Sequence, residues 1–143
     1  MVYLKDSKIE IARSGEAAKV FRNLLSGEDA VDREKEHFCV AHLDIRNRIK
    51  MVELVTLGTL TSSLVHPRET FRRAVIEASA GIIVGHNHPS GEVDPSDEDM
   101  SVTKKLFECG QILGLELLDH IIVSFTGFFQ LQRQPNAEIR ERR

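Results

Sequence analysis

A chain of 143 residues, 41% hydrophobic and 29% charged, can bury one sizeable core and has the length of one ordinary domain. Its net charge of −3 and pI near 6.1 give no general pull toward nucleic acid or anionic membrane. No apolar run approaches the roughly 18 residues that span a bilayer, and the opening MVYLKDSKIE lacks the parts of a signal peptide, so a soluble, cytoplasmic protein is expected.

Ala17, Val20, Phe21, Leu24 and Leu25 recur at helical spacing behind Ser14, a capping residue, and predict an amphipathic helix over 14–25. Residues 28–36 are acidic and polar and read as a loop, followed by a buried strand over the apolar run 38–43. After a turn at 44–48, residues 49–57 alternate. Ile49, Met51, Glu53, Val55 and Leu57 fall on one face, and Lys50, Val52, Leu54 and Thr56 on the other, so Glu53 shares its face with four apolar residues. Pro67 at a first helical position, with Phe71, Ala74, Val75 and Ala78 behind it, predicts a second helix ending before Gly81. A short interior strand at 82–85 leads into a Pro- and Gly-containing loop over 86–95. Ser96 and three carboxylates then open a third helix that runs to about Leu113 and ends at Gly114. Residues 115–125 form a further strand, paired through Gly127 with 128–131. This order implies one α/β domain over 1–133, a mixed central sheet flanked by helices, with a polar tail over 134–143. Cys39 and Cys109 lie in apolar segments and fit reduced core thiols.

The chemistry concentrates in residues 86–99, HNHPSGEVDPSDED. Positions i and i+2 of an extended segment point the same way, so His86 and His88 can face one ion. Imidazole nitrogen and carboxylate oxygen suit Zn²⁺, and a catalytic zinc site has three protein ligands and a water in the fourth position. His86, His88 and Asp99 supply that count, with Pro89 and Gly91 bending the chain back and Ser96 capping the helix that presents Asp99. Hydrolysis also needs a base to take a proton from the water and return it to the leaving amine. Glu53 is the candidate, because an acid on an apolar strand face needs a compensating charge; Glu92, in a loop, and Glu69, on a polar helix face, are weaker rivals.

Plainer readings stand beside these. A helix cap accounts for Ser96 without catalysis. Asp99 can serve as its capping-box partner, and Glu53 can pair with an arginine such as Arg46 or Arg48. His120, beside Asp119 in a strand, reads as a core histidine or the partner of a ligand rather than a fourth ligand. His37 and His42 flank a buried strand. Arg68, Arg72 and Arg73 read as a solvated face.

Taken together, Glu53, His86-Asn87-His88-Pro89 and Ser96-Asp97-Glu98-Asp99 resemble the JAMM (MPN+/JAB) metallopeptidase motif, in which a Glu precedes His-x-His and an Asp follows eleven positions on. Gly58-Thr59-Leu60, His66-Pro67-Arg68-Glu69, residues 85–91 and Leu117-Leu118-Asp119-His120 resemble the RadC-like branch of that family. The resemblance implies zinc ligation by His86, His88 and Asp99, acid/base work by Glu53, and oxyanion stabilisation by Ser96. It also implies a cytidine-deaminase-like JAB/MPN architecture. Members of the branch commonly carry a helix-hairpin-helix region ahead of this domain, for which these residues leave no room.

The expected function is therefore zinc-dependent hydrolysis of a peptide or isopeptide-linked protein substrate, with no membrane partner. The alternative is a DNA-repair or recombination accessory module with a structural or vestigial zinc site, which the charge does not favour. Zinc-dependent deamination lacks the paired-cysteine ligands expected of nucleobase deaminases. A homodimer is left open.

Overall fold

Apolar strands without alternation must be covered on both faces, and two such strands set this architecture. The computed structural model describes residues 2–5, 9–11, 14–58, 65–125, 127–133 and 139–142. Along the chain these form β1 (Val2–Lys5), α1 (Ser14–Ser26), α2 (Ala30–Arg33), β2 (His37–Leu43), β3 (Ile49–Leu57), α3 (Pro67–Ile76), β4 (Gly81–Asn87), α4 (Asp97–Leu113), β5 (Glu116–Val123), β6 (Phe128–Arg133) and β7 (Ile139–Arg142). Seven strands make one mixed sheet in the order β1-β3-β2-β4-β5-β6-β7. Among the described residues only β4 and β5 run parallel, and α4 supplies the crossover that a parallel pair requires.

Successive residues of β2 and β4 point to opposite faces and are buried on both. Phe38, Val40, Ile82 and Val84 pack with Phe71 and Ala74 of α3 and Val102 and Leu106 of α4. Cys39, Ala41 and Ile83 pack with Ala17, Ala18 and Phe21 of α1. The approach of α1 requires a glycine, since a Cβ on Gly85 would lie 2.7 Å from ring carbons of Phe21. Helix α4 ends where Gly114 takes φ 69°, a left-handed conformation that glycine adopts without steric cost.

Several expectations are corrected. One turn of helix, α2, interrupts 28–36, capped by Asp29, whose side chain accepts from the Asp32 N–H; one turn is too short to show a periodicity. Strand β4 does not stop at Gly85: His86 is paired with Phe38 on one side and Ile122 on the other, so sheet pairing overrides the polar composition. The alternation assigned to residues 49–57 is broken by register shifts in the β2–β3 pairing, and Ile49 packs with Val52 on the α1 side. Residues 139–142 of the polar tail pair antiparallel with β6. Residues 59–64, read from the sequence as a Thr/Ser stretch, lie outside the described residues.

Candidate metal centre

At one end of β4 the strand delivers His86, the next turn delivers His88, and the first turn of α4 returns Asp99 to both. One ligand atom from each lies within 4.8 Å of the others. His86 Nε2 stands 3.1 Å from Asp99 Oδ1, and His88 Nε2 stands 3.0 Å from Asp99 Oδ2 and from His86 Nε2. His86 and Asp99 are buried, whereas 16% of the His88 side chain is exposed, so the group opens to solvent on the His88 side.

Ser96 and Asp99 form a capping box. The Ser96 hydroxyl accepts from the Asp99 N–H at 3.1 Å, and Asp99 Oδ2 accepts from the Ser96 N–H at 2.8 Å. Capping and presentation of the carboxylate to the histidines are thus the same interaction. Burial works to raise the Asp99 pKa, but hydrogen bonding to His86 and His88, the charge of His86 and the Ser96 N–H together hold it well below the usual carboxylate range. The hydrogen bond to Asp99 raises His88, opposed by partial burial and assisted by further groups that include the charge of Glu36.

The donor set fits zinc. His88 Nδ1 lies 2.9 Å from the main-chain oxygen of Glu92; a carbonyl only accepts, so Nδ1 carries a proton, and Nε2, which faces Asp99, is the nitrogen at which a metal could replace one. Two imidazole nitrogens and one carboxylate, with solvent access on one side, match an open catalytic zinc site. Behind His86, its Nδ1 lies 2.8 Å from Nε2 of the fully buried His120. Burial pushes His120 well below the ordinary histidine pKa. His120 therefore stands beside His86, outside the group of three, and its ring meets that of Phe38 nearly at right angles at a centroid distance of 6.1 Å.

Glu53 is engaged elsewhere. Its Oε1 lies 3.1 Å from His42 Nε2 and its Oε2 lies 3.0 Å from Arg73 Nε. The arginine beside Glu53 is therefore Arg73; Arg48 pairs with Asp44. Glu53 lies opposite Val40 on β2, which lies opposite Val84 on β4. Strand spacing and rise then put its Cα roughly 12 Å from that of His86. His42 pairs with Ile82, further still from His86, so the contact with His42 draws the Glu53 carboxylate away from the metal group.

The sequence reading passed over Glu36. Glu36 immediately precedes β2, whose Phe38 pairs with His86, and its charge acts on His88. The main chain is anchored there: Gly58 N donates to Glu36 O at 2.9 Å. Asn87 Oδ1 accepts from His37 N at 2.6 Å, and Asn87 Nδ2 donates to Lys35 O at 3.0 Å. The available signal was an acid immediately before the first strand of the apolar core. Glu69 lies beside Arg68 in the first turn of α3, their Oε1 and Nε 3.9 Å apart. No helix among the described residues is long and apolar enough to cross a membrane.

Residues 11–136 match the RadC-like JAB domain. A UPF0758 protein of Staphylococcus epidermidis is 44% identical over 124 residues, covering 87% of this chain and 53% of the relative. UPF0758 proteins of Methanosarcina acetivorans and Geobacillus kaustophilus are 50% and 44% identical over 92 and 107 residues, covering 64% and 75% of this chain and 40% and 47% of theirs. The chain thus spans about half the length of the curated relatives it matches. With the family match extending over most of the chain and through all three members of the metal group, the chain belongs to the RadC-like JAB domain family.

Proposed function

We propose that the chain is a zinc-dependent hydrolase of peptide or isopeptide bonds, with His86, His88 and Asp99 as zinc ligands and Glu36 as the proton carrier. The convergence of two Nε2 atoms and a carboxylate on one point, beside a solvent opening, supports this reading most directly. When bound, zinc would polarise the scissile carbonyl and bring the pKa of a water near neutrality. The chain's own residues supply the rest. Glu36, whose charge acts on His88, would take a proton from the attacking water and return it to the leaving amine. The Ser96 hydroxyl accepts from the Asp99 N–H and keeps its own proton to donate toward a developing oxyanion.

Elemental analysis tests the metal first. One zinc per wild-type chain is expected, lost in His88→Ala and Asp99→Ala without unfolding; a wild type that neither retains zinc nor takes it up overturns the reading. On a peptide and isopeptide panel, Glu36→Gln is expected to lose turnover by about 10²–10⁴-fold with zinc retained. Glu53→Gln is expected to keep turnover. The reverse pattern would return the proton-carrying role to Glu53.

A further inference from the structure

We propose that His120 and Thr103 are positioning residues: a hydrogen-bond chain anchored on the main-chain carbonyl of Asp99 fixes a proton on His86 Nδ1 and leaves its Nε2 to the metal. The inference rests on the metal reading above, in which the metal replaces any proton between His86 Nε2 and Asp99 Oδ1, 3.1 Å apart; the accounting below fixes the other nitrogen, Nδ1.

The chain has three links. Thr103 Oγ1 donates to Asp99 O at 2.8 Å, and this direction is fixed because a carbonyl has no proton to give. Thr103 has one hydroxyl proton, so toward its second partner, His120 Nδ1, it can only accept. His120 Nδ1 must therefore be the donor. A neutral imidazole that donates from one nitrogen accepts at the other, so His120 Nε2 accepts from His86 Nδ1, 2.8 Å away. That places a proton of His86 on Nδ1 and leaves its Nε2 facing His88 and Asp99. The same result is reached at His88 in one step, through the carbonyl of Glu92.

The anchor belongs to a ligand residue. Asp99 offers its side chain to the metal group and its main-chain carbonyl to Thr103, one turn further along α4. The first turn of α4 and the end of β4 are therefore coupled through β5, which carries His120. Reversing any link would put a proton on His86 Nε2, where it blocks ligation.

The test reads tautomers directly, by long-range ¹H–¹⁵N correlation on the zinc-free, ¹⁵N-histidine-labelled chain at pH 8.5. The expected result is a proton on Nδ1 of His86, and on Nδ1 but not Nε2 of His120. A proton on His120 Nε2, or none on His86 Nδ1, in the wild type overturns the proposal, and this measurement needs no variant to fold. Thr103→Val removes the acceptor for His120 and is expected to give mixed tautomers at both histidines and zinc binding weakened about 10–100-fold in chelator competition. Thr103→Ser restores both. Unchanged His86 tautomers in Thr103→Val overturn the proposal. If the wild type shows the expected tautomers but takes up no zinc, the metal reading fails and the positioning chain stands.

Discussion

Ser96 and Asp99 exchange two hydrogen bonds across the first turn of α4, at 2.8 and 3.1 Å, and the carboxylate held in this way is the one that faces His86 and His88. Ser96→Ala removes the acceptor for the Asp99 N–H and leaves the Ser96 N–H in place. As a cap alone, its loss should cost about 1 kcal/mol in stability. An oxyanion role predicts more: turnover reduced about 10²–10³-fold with zinc still bound. Denaturant midpoint, zinc content and turnover measured on the same variant separate the two. A stability loss without a fall in turnover would leave Ser96 as a cap.

Glu53 is expected to behave as a structural acid. Its carboxylate lies against His42, which is fully buried, and Arg73, which is partly exposed. Glu53→Gln keeps the size but removes the charge, and should lower stability by about 1–3 kcal/mol, since one partner is left in a dry site. Zinc uptake should be unchanged. Equal stability of the two proteins by urea titration would show that the contacts with His42 and Arg73 contribute nothing.

The contrast between Glu53 and Asp99 explains what was legible in the sequence. His86, His88 and Asp99 lie within a short stretch whose geometry is local: strand alternation sets the first two and a helix cap sets the third, so their spacing, with the resemblance to the JAMM motif, was enough to group them. The position of an acid relative to that group depends on the pairing of β2 with β3 and β4. Register shifts in the β2–β3 pairing break the simple alternation that put Ile49 and Glu53 on one face. The partnership of His120 with His86 spans 34 residues and exists only because β5 lies parallel to β4. The periodicity of α1 and α3 showed through because each buries one face, and α4 was marked by its Ser96 cap and Gly114 stop, whereas α2, a single turn, and β7, polar in composition, carry no such pattern.

Gly85 is the position where strand β4 tolerates least. A Cβ there would meet two ring carbons of Phe21 at 2.7 Å, and neither the ring nor the central strand can move without disturbing the core. Gly85→Ala is expected to cost about 1–3 kcal/mol. In a Phe21→Ala background the added methyl has room, so the cost should shrink or vanish, a non-additivity expected of residues in contact. Chemical denaturation of the four proteins of this cycle measures it; additive losses would show that the clash is relieved elsewhere.

Asp119 should make stability fall as pH rises. Burial pushes its carboxyl from the ordinary 3.8 up to about 7, against hydrogen bonds from the His120 main-chain N–H and Gln130 that favour the charged form. The unfolded chain releases this proton near 3.8. Between the two values the folded state holds a proton that the unfolded state has lost, so the group lowers stability by about 1.4 kcal/mol per pH unit across the window. The loss is absent below the lower value and complete above the upper one. Asp119→Asn removes the ionisation and retains an acceptor for the His120 N–H. Relative to wild type, it should differ little near pH 4 and be more stable at pH 8, by up to about 4 kcal/mol. Urea midpoints for both proteins at pH 4.5, 6 and 8 test this. Curves that stay parallel over the range would mean that Asp119 is already ionised in the fold at the acid end, with its hydrogen bonds outweighing burial.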